Sequence, residues 1–188
     1  LLMNLKNYIQ NSTFQINTIN KLSIKGSRPH IEHINDNTLL NIYSLSDSIP
    51  SETIFLLGKH FIISVHKNKT QSFDNLKSDK IKLHDLLKLG PDFVLHELIS
   101  NHVNNYFNIL EGFELELDSL EDKAIKDPKP AVLERLFKIK RKLLRIRKIV
   151  YPQREAINNL TFSSYKNLSK DSIFLFKDID NDMLIFND

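Results

Sequence analysis

Residues 90–160, GPDFVLHELISNHVNNYFNILEGFELELDSLEDKAIKDPKPAVLERLFKIKRKLLRIRKIVYPQREAINNL, keep a single apolar period longer than any other part of the chain. Val94, Leu98, His102, Tyr106, Leu110, Phe113, Leu117, Leu120 and Ala124 recur at steps of three and four, which is one face of an α-helix. That helix begins near Phe93 and ends by Asp127, because Pro128 and Pro130 cannot continue it and push their predecessors out of helical geometry. At 1.5 Å per residue it is a rod of about 50 Å. Beyond the Pro turn, Val132, Leu136, Ile139, Leu143, Ile146, Val150, Gln153, Ile157 and Leu160 alternate steps of four and three, the signature of a coiled-coil seam. Pro152 removes the bond to the carbonyl of Lys148 and predicts a kink there.

The short connection makes the two helices antiparallel neighbours. Glu111, Glu114, Glu116, Asp118, Glu121 and Asp122 crowd the end of the first, and Lys138, Lys140, Arg141, Lys142, Arg145, Arg147 and Lys148 crowd the second. The acidic stretch therefore lies near the basic one. An exposed pair contributes under ~1 kcal/mol, so charge is expected to set register while apolar burial stabilises the hairpin.

Within this region a set of short elements is similar to the cytoplasmic domain of the CorA family of magnesium transporters and channels. They are Gly90-Pro91-Asp92-Phe93, Asn105-Tyr106-Phe107, Leu120-Glu121-Asp122, Lys140-Arg141-Lys142-Leu143, Tyr151-Pro152-Gln153-Arg154-Glu155 and Phe176-Lys177-Asp178-Ile179, with Ser27-Arg28-Pro29-His30-Ile31-Glu32 upstream. Several motifs in the family's order and spacing are far more specific than any one of them. The resemblance implies a non-enzymatic domain at the cytoplasmic face of the inner membrane. It also implies that the full-length protein is a pentamer of identical copies, and that two membrane helices follow in a longer chain. By itself this chain is then expected to be soluble and monomeric or weakly oligomeric.

Working outward, Ile54–Leu57 and His60–His66 are β-branched and aromatic runs around Gly58-Lys59, the clearest hairpin in the sequence, with Gly58 suited to a type II′ turn. Both runs are nearly continuous in apolar residues, which predicts a sheet covered by helices on both faces. A further strand is expected over Leu39–Leu45 and a turn over 47–51. Phe73–Leu76 and Ile81–Leu89 read as short helices, as do Leu2–Ile9 and Ile16–Ile24. A third long helix begins at Asp171, capped by Ser169 or Lys170, and by the resemblance it is the start of a stalk. The expected fold is thus α/β, a mixed or antiparallel sheet layered with helices (residues 1–89), a long antiparallel hairpin (90–160), then a loop and the first part of the stalk helix (161–188).

The whole chain has 188 residues, 41% apolar and 26% charged, enough for a real core. It has no cysteine, which excludes a disulfide scaffold and thiolate metal sites. A net charge of +3 does not imply a nucleic-acid partner, and none is expected. No window approaches the ~18 apolar residues of a membrane span. No P-loop, Gly-x-Ser-x-Gly or His-Glu-x-x-His element occurs, so the common enzyme signatures are absent.

Three groups have chemistry to weigh. His30 and His33, at i and i+3, can share a metal only if their segment is helical. His102, on the first helix's seam, reads as a hydrogen-bonded interior residue. The acidic run can hold hydrated Mg²⁺ and the basic run can meet anionic lipid or nucleic acid, but solvated, mutually paired helix faces are the preferred reading of both.

On the third helix Asp178 and Asp182 lie one turn apart on one face, whereas Asp180 points elsewhere. In the family the aspartate at the position of Asp178 binds a regulatory divalent cation between neighbouring subunits, so the resemblance implies Mg²⁺ as both regulator and cargo, with Asp178 and Asp182 as candidate ligands. Zinc, as in the related ZntB branch, is the alternative cargo, and a coiled-coil interaction module is the alternative outside transport. The family's partner positions fall on Asn20, Lys21 and Ser100, none of them a carboxylate.

Overall fold

In a computed structural model, residue 22 and residues 26–185 are described, apart from 47, 128, 163–164 and 166. The elements in order are β1 (His30–Ile34), β2 (Asn37–Ser46), β3 (Ile49–Leu57), β4 (Ile62–His66), α1 (Gln71–Ser78), α2 (Lys80–Leu89), α3 (Pro91–Lys126), α4 (Pro130–Thr161) and α5 (Lys170–Leu184). The sheet is a purely antiparallel meander in the order β1-β2-β3-β4. The helices expected at Leu2–Ile9 and Ile16–Ile24 lie outside the described residues except for Leu22. Among the described residues no helix is long and apolar enough to cross a membrane.

Several local expectations are corrected. The turn expected over 47–51 does not extend to 49–51, because Ser46 pairs with Ile49; Ser48 takes φ 66°. Pro50 and Ser51 belong to β3; Pro50 is tolerated because β4 pairs with β3 only from Thr53 onward, so no second neighbour needs its missing N–H. The Gly58 turn is not a two-residue II′ turn. Leu57 pairs with Ile62, the loop spans Gly58–Phe61, and the Gly58 N–H donates to the Phe61 carbonyl at 2.9 Å. Gly58 has no positive φ; glycine is required because the Phe61 ring lies where a Cβ would stand.

Leu40, Ile42, Phe55 and Leu57 turn one sheet face into the main core, with Phe73 and Leu76 of α1 and the seam residues of α3, α4 and α5. The opposite face carries a second cluster of Ile34, Leu39, Ile54 and Leu56 under Leu22. Among the described residues no helix contributes to that cluster, so helical cover is seen on one face only. On this second face a buried carboxylate organises the approach to β1. Glu52 accepts from the Gly26 N–H (2.7 Å), Ser27 Oγ (3.1 Å) and Asn41 Nδ2 (2.7 Å), and Tyr43 Oη donates to the Ser27 carbonyl at 3.0 Å.

The motif residues do structural work. β1 pairs with β2 only as far as Asn41, so among the described residues the edge groups of Tyr43 and Leu45 have no strand partner. Side chains of α3 and α4 take over. Gln153 Oε1 accepts the Tyr43 N–H at 2.8 Å, Tyr106 Oη donates to the Tyr43 carbonyl, and Asn105 Nδ2 donates to the Leu45 carbonyl at 2.6 Å. Gln153 Nε2 also donates to Tyr106 Oη at 2.9 Å, closing the network in a fully buried site. The helix α4 passes through Pro152 without ending, which keeps Gln153 and Arg154 on one rigid element. At the head of α3, Gly90 takes φ 151°, Pro91 occupies the first turn, and Asp92 Oδ2 accepts the Ser169 N–H at 2.9 Å, tying the entrance of α5 to α3.

Candidate functional site

The third long helix is anchored before it can present anything. Ser169 caps it, its Oγ accepting the Ser172 N–H at 3.1 Å, and Asp171 occupies its first turn. Phe176, Ile179 and Met183 are buried in the core. Asp180 is also buried: its Oδ2 accepts from Asn158 Nδ2 at 2.7 Å, and Oδ1 sits 3.0 Å from Arg154 Nε in an ion pair without hydrogen-bond alignment. This aspartate is consumed in docking α5 to α4.

Asp178 and Asp182 are exposed on the other side of the helix, one turn apart, so their carboxylates are neighbours across about 5–6 Å at Cβ. Beside Asp178 stands His96 of α3, whose ring meets Phe176 edge-on with centroids 5.6 Å apart. Burial lowers the His96 pKa, while the negative charges of Glu97 and Asp178 and a backbone bond at Leu175 act the other way. Ser100, half-buried, follows His96 by one turn of α3. Asn20 and Lys21 lie outside the described residues. Among the described residues no three His, Asp or Glu side chains converge on a common metal position. The carboxylates of Asp178 and Asp182 are hard oxygen donors in open solvent, the donor type that suits a hydrated divalent cation.

The other candidates separate. His30 and His33 fall in a strand, not a helix, and so point to opposite faces; His30 Nδ1 contacts the Arg28 carbonyl at 2.7 Å, and His33 packs on Tyr165 with centroids 4.2 Å apart. His102 is interior as expected but is not hydrogen-bonded: among the described residues neither ring nitrogen has a partner, and Phe55 and Phe73 flank the ring. The acidic and basic runs are solvated. Contrary to the expected register of charges, Glu116–Arg135 is the one ion pair between α3 and α4 among the described residues, and Lys142 lies over the Phe113 ring at 5.7 Å. Asn105, Tyr106, Gln153, Arg154 and Asp180 were not legible as an interlocking set, although buried amides and a buried acid inside apolar periods are the signal that such a set exists.

Comparison with known proteins bears on the same residues. The family profile described as "CorA-like Mg2+ transporter protein" matches residues 5–184. The cobalt/magnesium transport protein CorA of Thermotoga maritima is 27% identical over 134 residues, which are 70% of this chain and 38% of that protein. The soluble domain of CorA from Methanocaldococcus jannaschii superposes with a TM-score of 0.82 at 18% identity, over 97% of this chain and 75% of that one. The ZntB cytoplasmic domain from Vibrio parahaemolyticus has the same fold, with a TM-score of 0.72 at 16% identity over 98% of this chain and 75% of that one.

Proposed function

Because the chain belongs to the CorA-like Mg2+ transporter family, we propose that it is the cytoplasmic regulatory part of a divalent-cation transporter or channel, with Mg²⁺ as cargo. The match over residues 5–184 carries this reading, since it takes in nearly the whole chain. The chain spans 38% of the length of the Thermotoga relative, and we place the conducting segment in a longer protein, reached through α5 as the start of a stalk. In that protein identical copies assemble, as a pentamer, at the cytoplasmic face of the cell membrane.

The test of transport uses the longer protein in liposomes. Mg²⁺ or Co²⁺ uptake is expected, absence of both overturns the reading, and uptake of Zn²⁺ alone moves the cargo to that of the ZntB-like branch.

Regulation is assigned to Asp178 and Asp182 as half of a site between copies. Carboxylates brought together across an interface repel when the cation leaves, so occupancy shifts a packing equilibrium. One isolated chain holds only two of the ligands and should bind Mg²⁺ weakly, near ~10⁻³ M. Calorimetry on the parent and on Asp178→Ala checks this. Binding in the micromolar range would mean that other groups complete the site, and unchanged binding in the variant would make Asp178 a solvated helix residue only.

A further inference from the structure

The solvent side of α4 carries an ordered pattern that the core does not use. At about 100° per residue, Leu133, Phe137, Leu144 and Tyr151 fall within about 40° of one another around the helix, and about 140° from the buried seam residues Ile139 and Ile146. They are 48–58% exposed and form an apolar ridge of about 27 Å. Lys140 and Arg147 flank the ridge on one side, Arg141 and Lys148 on the other. A groove of about 430 Å³ lies at its middle, lined by Phe137, Leu144, Lys140, Arg141 and Glu134. Pairing of the acidic and basic runs would have neutralised these cations. Instead only Arg135 pairs with α3, and Lys138 pairs with Glu134 at 2.7 Å. Lys140, Arg141, Arg147 and Lys148 have no ion-pair partner among the described residues.

We propose that this face of α4 docks on an anionic lipid surface. Exposed apolar side chains between two rows of cations are the pattern of a helix that lies in a membrane interface. The ridge enters the boundary between headgroups and acyl chains, and the Lys and Arg stems run outward to keep their charges at the lipid phosphates. A soluble phosphate or a nucleic-acid backbone would use the cations and leave the ridge in water. A neutral apolar partner would bury the ridge and strip water from four unpaired cations. Only a surface that is anionic outside and apolar beneath complements both. Each cation near such a surface strengthens binding about 5-fold, and this Coulombic part weakens with salt. The contact needs neither a bound cation nor a conducting segment, so it stands apart from the transport reading and from Asp178.

The chain has no tryptophan, so a single one reports on its own position. In Phe137→Trp, phosphatidylcholine vesicles that contain phosphatidylserine are expected to shift the emission to the blue. In Leu115→Trp, at an exposed position of α3, they are not. Vesicles of phosphatidylcholine alone should leave both unchanged. In the Phe137→Trp background, Lys140→Glu with Arg147→Glu should weaken binding to the anionic vesicles at least ~20-fold, from about 5-fold for each cation lost. Salt at ~1 M, where the Debye length is ~3 Å, should weaken it likewise. All four substituted residues are exposed, so urea midpoints should match the parent's. No vesicle response from Phe137→Trp, an equal response from Leu115→Trp, or binding indifferent to the charge reversal overturns the proposal. So does binding of tripolyphosphate or an RNA oligomer without any vesicle response, which would assign the cations to a soluble phosphate or to nucleic acid.

Discussion

Gln153→Ala is expected to lower the stability of this chain by about 2–4 kcal/mol, far more than any exposed ion pair contributes. Gln153 is fully buried and links three elements: its Oε1 takes the Tyr43 N–H at the point where β1 has stopped pairing, and its Nε2 reaches Tyr106 Oη. Alanine deletes both bonds and leaves the Tyr43 N–H in a dry site. Each lost bond is worth roughly 1 kcal/mol, and each orphaned buried group adds about 1–3 kcal/mol. Burial raises the Tyr106 pKa far above its ordinary value, so the hydroxyl stays a neutral donor across the working pH range. Urea unfolding should show a lower midpoint at unchanged slope. A cycle with Tyr106→Phe should give a coupling of at least ~0.5 kcal/mol, since both variants break one network. If the two variants are additive and each costs under ~0.5 kcal/mol, the network is not what joins sheet to helices.

His102→Leu is expected to do the opposite, and to change how the protein answers to acid. Burial, and secondarily the nearby His66, lower the His102 pKa from 6.5 to about 3. Between those values the unfolded chain binds a proton that the folded chain refuses, so the unfolded state is favoured as pH falls. Stability is full above pH 6.5 and declines by up to about 1.4 kcal/mol per pH unit below it. Leucine has nothing to protonate and removes two buried nitrogens that lack partners among the described residues. The variant should be as stable as the parent or ~1 kcal/mol more stable at pH 7.5. Its advantage should widen by about 2 kcal/mol, to roughly 2–3 kcal/mol, by pH 5. Thermal melts at both pH values test this, and parallel pH profiles for parent and variant would show that His102 is hydrogen-bonded or hydrated in the folded chain.

The long helices were readable from residue order because their signal is local. An uninterrupted step of three and four from Val94 to Leu160, broken only by a pair of prolines, leaves one arrangement that buries the apolar faces. The short connection then makes α3 and α4 antiparallel. Most strands are readable as strands, but their turns are not: by sequence Gly58 is a glycine of backbone freedom, and in the fold it is a glycine of space, a distinction set by where the Phe61 ring comes to rest. The same holds for the aspartates of α5. Helical period separates Asp180 from Asp178 and Asp182, yet that Asp180 is the buried one depends on Arg154 and Asn158 arriving from α4.

Periodicity and motif order by themselves determined the long helices, their hairpin, three of the four strands and the family, since these depend on neighbours a few residues apart along the chain. Only the tertiary structure decided which polar side chains are structural. It showed Asn105, Tyr106 and Gln153 finishing the interrupted β2 ladder, His102 without a hydrogen-bond partner among the described residues, and the charges of α3 and α4 mostly solvated, with Glu116–Arg135 the one ion pair between the two helices among the described residues. The physical reason is that hydrogen bonding and desolvation are settled by what packs across 60 to 110 residues of chain, as between Leu45 and Asn105 or Tyr43 and Gln153, and no local pattern encodes that distance.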